Sequence, residues 1–297
     1  MIVVKLISGL GNQLFQYALG RRVALLKKVP LKMDLSFYSS QNLRGYKLEH
    51  YTINAQVATS ADIDFIFEPE RSLLVRVRKK SQKFLLGGHI YPILIKERGW
   101  WLYDYRIFSI SRHAYLDGYW QHYLYYEHLP LEIFKELTLV SHLREEVSQE
   151  AELIVNSPNT VSIHVRRGDY VTDPEARALF GILPLIYYQR AIEYVASHLG
   201  ICTFFIFSDD IEWAQQHIQV FNHACHFMTR SYSVLDCQEL YLMSLCQHNI
   251  IANSSFSWWG AFLNKNSDKI VVAPKQWLAD DVMNARVEVQ MPTWVVV

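Results

Sequence analysis

What this chain has little of narrows its class first. Only four cysteines occur in 297 residues, Cys202, Cys225, Cys237 and Cys246. None belongs to a C-x-x-C pair, which argues against a zinc or disulfide framework and for buried thiols in a reducing compartment. Net charge is missing too: Lys+Arg and Asp+Glu balance at 29 each, so no global field draws the chain to nucleic acid. Any affinity for phosphate is then local. No apolar run approaches the ~18 residues of a membrane span, and the opening MIVVKLISGLGNQ has no basic leader. These absences predict a cytoplasmic protein, neither secreted by this opening nor membrane-spanning. What is abundant is apolar surface. With 51% hydrophobic and 14% aromatic residues, a chain of this length packs a core like an enzyme's without staples.

Ile2 to Ile7 form a short apolar run ending in Ser8-Gly9-Leu10-Gly11, after which Leu14, Ala18, Arg22 and Leu25 recur at helical spacing. With the run Leu31 to Asp34 this predicts a first β-α-β unit. From residue 36 to 150 the pattern is less regular. It carries a basic helical stretch from Arg71 and an aromatic stretch at Tyr115 to Tyr126. Regular alternation returns at Thr160, with strands over 161–165, 204–207, 249–252 and 269–273 and helices over 183–199, from Ile211, 235–247 and 256–263. Strands alternating with helices predict parallel sheets covered on both faces. The polar, proline-containing NSPNT puts a boundary near residue 155, giving domains 1–155 and 156–297.

Ligands of such sheets bind outside the carboxyl ends of the strands, so the residues after each run matter most. Ser8-Gly9-Leu10-Gly11-Asn12 allows a tight turn and close approach to a helix N-terminus, or is simply a structural turn. Arg166-Arg167-Gly168-Asp169-Tyr170 follows the strand at 161–165. Adjacent guanidiniums there suit a diphosphate, and strand alternation predicts one arginine at the ligand and the other in a structural ion pair. His164 reads equally as a ligand contact or a core histidine. Ser208-Asp209-Asp210 is a helix cap on one reading and a metal-bound diphosphate site on another; adjacent carboxylates pointing opposite ways argue against metal. Asn253-Ser254-Ser255-Phe256-Ser257 offers hydroxyls and helix N–H groups as an uncharged anion cradle, although one serine suffices for a cap.

Together GLGNQLFQYALGRRVA, HVRRGDY, FIFSDD and NIIANSSFSWWGAF resemble, in order and spacing, the motifs of the α-1,2-fucosyltransferases of bacteria and animals, the eleventh glycosyltransferase family. The resemblance runs from residue 2 to about 275, and LDGYWQ at 116–121 looks like the family's end of the first domain. It implies an α/β GT-B fold of two Rossmann-like domains whose parallel sheets face a central cleft. The first domain would be acceptor-side and the second would bind the donor. GDP-β-L-fucose would be the donor and a terminal β-galactoside the acceptor, with inversion and with neither metal nor other cofactor. Animal members carry an N-terminal anchor, so its absence here implies a bacterial, cytoplasmic enzyme of surface-glycan synthesis.

By resemblance to α-1,6- and protein O-fucosyltransferases, Arg166 holds the β-phosphate, His164 contacts the nucleotide, and Ser254, Ser255 and Phe256 supply donors to phosphate. Glu239 falls where those relatives place an acid against guanine, one carboxylate accepting from both N1–H and the 2-amino group. Gly11 and Asp209 join the donor set, and Asn12 faces fucose and acceptor. Asp169 is the first choice for the base, with Asp173 and Glu175 behind it, or else it braces Arg167. A fucosyltransferase of another linkage, α-1,6 in type, and a non-catalytic nucleotide- or glycan-binding module are the alternatives. Tyr119, Trp120, Tyr123, Tyr125 and Tyr126 read as core or as sugar-stacking rings. The basic stretch 71–83 reads as a solvated helix face or as peripheral contact with an anionic inner membrane carrying a lipid-linked acceptor.

Overall fold

The computed structural model describes residues 1–39, 45–71, 93–99, 102–110, 112–228 and 235–297. Apart from Arg71, which ends a helix, the basic stretch 71–83 lies outside the described residues. The chain divides into two compact units, Met1–Thr138 and Leu139–Val297.

The first unit holds β1 (Ile2–Lys5), α1 (Leu10–Lys27), β2 (Leu31–Asp34), α2 (Ser36–Ser39), β3 (Gln56–Val57), α3 (Ser60–Arg71), β4 (Ile93–Lys96), β5 (Ala114–Asp117) and α4 (Leu131–Glu136). Its sheet runs β3-β2-β1-β5-β4 with every pairing parallel. The segment that looks irregular in sequence thus supplies β4 and β5, whose short runs carry no periodicity long enough to stand out. Helix α1 is buried along most of its length, because Leu14, Phe15, Tyr17 and Ala18 all face the interior. Gly20 lets it approach the sheet: a Cβ there would lie 3.1 Å from both Val4 Cβ and Leu31 Cδ1. Of the aromatic stretch, Trp120, Tyr125 and Tyr126 are core, whereas Tyr119 and Tyr123 are half-buried.

Helix α1 is tied to α4 by a part-buried polar cluster. Arg21 Nη2 and Nε donate to Glu136 at 2.7 and 2.9 Å, and the Tyr17 hydroxyl donates to Glu136 Oε2 at 2.6 Å. Burial and this carboxylate push the Tyr17 hydroxyl well above its ordinary pKa. Glu136→Ala strands a part-buried guanidinium, so a loss of about 2 kcal/mol in unfolding free energy is expected in urea titration. A change below about 1 kcal/mol would mean solvent replaces the partner.

The second unit holds α5 (Ser141–Glu145), α6 (Ser148–Asn156), β6 (Thr160–Val165), α7 (Gly168–Thr172), α8 (Pro174–Phe180), α9 (Leu185–Leu199), β7 (Thr203–Ser208), α10 (Ile211–His217), β8 (Ala224–Phe227), α11 (Asp236–Leu245), β9 (His248–Ile250), α12 (Ser255–Phe262), β10 (Val271–Ala273), α13 (Asp281–Asn284) and β11 (Val295–Val296). Its sheet runs β11-β10-β9-β6-β7-β8, again parallel throughout. The core joins Val161, Ile163, Phe204, Ile206 and Ile250 of the strands to Tyr188, Ile192 and Val195 of α9.

Strands β8 and β11 are additions to the sequence reading. Both are short, and β8 is only half-buried, so neither shows a full apolar run. The division of the chain also falls at 138/139, ahead of the expected 155. Buried Gln238 of α11 explains this: its amide donates to Leu143 O at 2.9 Å and Glu146 Oε2 at 2.8 Å, fastening 141–146 to the second unit.

Candidate active site

In each sheet the strand order reverses beside the first strand of the unit, and ligands of such folds sit outside the carboxyl ends at that point. In the second unit the chain goes β6-β7-β8 to one edge and β9-β10-β11 to the other. The connections after β6 and β9 therefore diverge around one crevice. After β6 come Arg166, Arg167 and α7; after β9 come Ile251 to Ser254 and α12. The two loops are pinned together. The Tyr170 hydroxyl donates to Asn253 O at 3.1 Å, and the His164 and Phe256 rings lie 5.5 Å apart.

Arg166 is held by two carboxylates. Its Nη2 donates to Asp169 Oδ1 at 2.6 Å and its Nη1 pairs with Asp209 Oδ2 at 2.7 Å, while its guanidinium lies 5.4 Å from the Tyr170 ring centroid. Tyr170 itself stacks on Phe180, with centroids 4.9 Å apart. A guanidinium has five N–H donors, so the two aspartates orient the group and leave others for an incoming anion. Arg167 is ion-paired as well: its Nε donates to Asp210 Oδ2 at 3.0 Å and its guanidinium lies 3.9 Å from the Trp213 ring centroid. Both arginines lie past the end of β6 and both meet aspartates, and Asp169 sits on Arg166 rather than Arg167.

Asp209 and Asp210 also divide the work. Asp210 is the N-cap of α10, accepting from Trp213 N–H at 3.2 Å. Asp209 accepts from Arg167 N–H at 2.8 Å as well as pairing with Arg166. This explains Gly168, which sequence reasoning passed over. A Cβ at Gly168 would lie 2.6 Å from Asp209 Oδ2. Gly168→Ala displaces that carboxylate and loses charge-assisted contacts; an increase of about 10-fold or more in donor KM is expected from initial rates. An unchanged donor KM would remove Asp209 from the site.

The serine loop is partly spent on its own fold. Ser254 caps α12, its Oγ accepting from Phe256 N–H at 3.3 Å, and Ser257 Oγ accepts from Ala252 N–H at 3.2 Å. Ser255 is half-buried at the helix start. The Asn253 amide donates to Phe180 O at 2.8 Å and Trp277 O at 3.3 Å, locking the loop to α8 and to the segment after β10. His164 is buried in β6, and Glu239 is buried in the first turn of α11, which packs on α12. Asp173 is the N-cap of α8, accepting from Glu175 N–H at 2.9 Å. Glu175 is exposed in that first turn.

In the first unit the corresponding reversal lies between β1 and β5. Asn12 and Gly11 stand there in the first turn of α1. Asn12 Nδ2 donates to Ser8 Oγ at 3.0 Å, and its Oδ1 accepts from Gln121 Nε2 at 2.6 Å. Among the described residues no group of three or more His, Cys, Asp or Glu side chains is arranged to hold a metal ion. All four cysteines are free thiols, and burial pushes Cys225 up to about 11.

The family model of glycosyl transferase family 11 matches residues 1–297. The chain belongs to that family. It is thus a glycosyltransferase. Two bacterial relatives span almost all of it: the O-antigen biosynthesis glycosyltransferase WbnK of Escherichia coli, 30% identical over 97% of each chain, and an α-1,2-colitosyltransferase of Escherichia coli, 31% identical over 96% of this chain and 95% of that one. The galactoside 2-α-L-fucosyltransferase SEC1 of Bos taurus is 32% identical over 50% of this chain and 41% of its own length. Two solved structures share the fold. The fucosyltransferase NodZ from Bradyrhizobium has a TM-score of 0.52 at 14% identity, covering 88% of this chain and 91% of that one. A variant of FUT1 from Arabidopsis thaliana in complex with GDP has a TM-score of 0.53 at 13% identity, covering 95% and 72%. The α/β GT-B architecture expected for the family 11 transferase is the one these neighbours have. Among its described residues no helix is long and apolar enough to cross a membrane.

Proposed function

We propose that this family 11 transferase moves L-fucose from GDP-β-L-fucose to the 2-hydroxyl of a terminal β-galactoside, with inversion and without metal, in bacterial surface glycan of O-antigen type. The observation that carries the reading is Arg166 at the switch point, oriented by Asp169 and Asp209 beside the Ser254-capped start of α12. That is an anion site of guanidinium and helix N–H groups, suited to a diphosphate leaving group.

In this reading the anomeric C–O bond to phosphate breaks and its electron pair leaves with GDP. The galactose O2 attacks from the opposite face, and its proton passes to Asp169. The transition state is oxocarbenium-like, so negative charge grows on the phosphate where Arg166 stands. His164 contacts the nucleotide, Ser254, Ser255 and Phe256 add donors to phosphate, Asp209 holds Arg166, and Glu239 accepts from guanine. Gly11 and Asn12 serve the sugar and acceptor side. A cytoplasmic site of action belongs to the same reading, as does contact of 71–83 with an anionic membrane bearing a lipid-linked acceptor.

The near full-length match to an α-1,2-colitosyltransferase favours one second reading, a donor sugar lacking the 3-hydroxyl of fucose. The deciding experiment offers GDP-fucose or GDP-colitose with lactose in EDTA, and product linkage is determined by NMR. An α-1,2-fucosyl product is expected. Preference for GDP-colitose would change the donor, an α-1,6 product the linkage, and GDP binding without turnover would make the protein a binding module.

A further inference from the structure

Glu97, just past β4, has no part in the site described so far. Its carboxylate closes on the main chain of the next strand's loop: Oε2 accepts from Tyr119 N–H at 2.6 Å and Oε1 from Trp120 N–H at 2.9 Å. The Glu97 N–H donates in turn to Asp117 O at 2.9 Å. Gly118 is the residue that admits this acid, since a Cβ there would lie 2.4 Å from Glu97 Cβ. The loop is also tied from above, as Gln16 Nε2 donates to Gly118 O at 3.2 Å and the Tyr126 hydroxyl donates to Trp120 O at 2.6 Å.

This arrangement opposes stability in three ways. Burial pushes the Glu97 carboxyl up to about 7 from its ordinary 4.5, against the pull of its two N–H partners. Folding is therefore weakened as pH rises through that window, because the folded state prefers the protonated acid. Trp120 adopts φ of 60°, in the left-handed region that disfavours a large side chain. Its indole Nε1 is buried with no hydrogen-bond partner among the described residues. Strain and uncompensated burial that a fold retains point to function. What the loop achieves is the placement of Gln121, whose amide donates to Asn12 Oδ1 while Asn12 Nδ2 is held by Ser8. Ser8 is itself left-handed at φ 67°.

We propose that Glu97 is a positioning residue, which through the main chain of 118–120 sets Gln121 so that Gln121 fixes the Asn12 carboxamide for the acceptor. The inference rests on the acceptor-side role given to Asn12 above. With both ends of that amide occupied it cannot flip, and one N–H and one lone pair remain in fixed directions for a sugar hydroxyl.

The test compares Glu97→Gln, Gln121→Ala and the double variant with the full-length enzyme, using GDP-fucose and lactose. Each single change is expected to raise the acceptor KM about tenfold, with the donor KM within about twofold. The double variant should be no worse than Gln121→Ala alone, because both act through one contact. Additive losses, or a Glu97→Gln enzyme with wild-type acceptor KM, would overturn the proposal. The glutamine variant should melt no lower than wild type at pH 8; if it does not fold, Glu97→Asp, too short to reach both amides, carries the same comparison. Absence of transfer by the wild type would be a failure of the functional reading instead. Amide exchange then decides: faster exchange over 118–121 in Glu97→Gln, with 166–170 unchanged, supports the strap, and unchanged exchange at 118–121 overturns it.

Discussion

Arg166→Ala is expected to lower kcat/KM for fucosyl transfer by about 10²–10³-fold, the usual loss when one preorganised donor to a developing oxyanion is removed. The local electrostatics give this direction. Asp169 at 2.6 Å and Asp209 at 2.7 Å are both paired with the same guanidinium, whose one charge offsets half of theirs. Without it two carboxylates face the place where a diphosphate would bind, so ground-state affinity for GDP falls along with the rate. Arg166→Lys keeps the charge but replaces a planar fork with a point charge that does not span two aspartates, so an intermediate loss is expected. Steady-state rates with GDP-fucose, paired with calorimetric titration of GDP, check both. An Arg166→Ala enzyme within threefold of wild type would sink the phosphate role.

Asp169→Asn separates two roles that share one residue. Its Oδ1 receives Arg166 Nη2, and it stands in the first turn of α7, with Arg167 as N-cap. If Asp169 removes the acceptor proton, kcat falls by about 10²–10⁴-fold, the range for a lost general base, with GDP affinity little changed. This is the expected result. The asparagine still offers an oxygen to Arg166, so the brace largely survives the change. A raised donor KM with kcat preserved would assign Asp169 to holding Arg166. The pH dependence of kcat, read in wild type and variant, shows whether the acidic limb disappears with the carboxylate.

Much of this site is legible before folding because it rests on residues close in sequence. Ser254 caps α12 because serine followed by an apolar run is a helix start, and Asp210 caps α10 by the same local logic. The strands at 160–165 and 203–208 stand out because a strand buried on both faces is a continuous apolar run. Short or partly exposed elements carry no such signal. Strands β4, β5, β8 and β11 have two to four residues each, at most two periods of strand alternation.

Sequence by itself determined the class: two sets of parallel β-α-β units, the loops after β1, β6 and β9 as the loaded ones, and membership of the family whose motifs those loops carry. Tertiary structure alone decided who partners whom. Asp209 meets Arg166 across 43 positions and leaves no room for a side chain at Gly168, because β6 and β7 are neighbours in register, with Val165 opposite Ser208. Gln121 reaches Asn12 across 109 positions because β1 and β5 pair. Glu97 meets Tyr119 and Trp120 because β4 pairs with β5, bringing Lys96 opposite Asp117. Local pattern encodes which residues face inward along one element, whereas a contact between elements depends on strand order and register, which the periodicity of neither element contains.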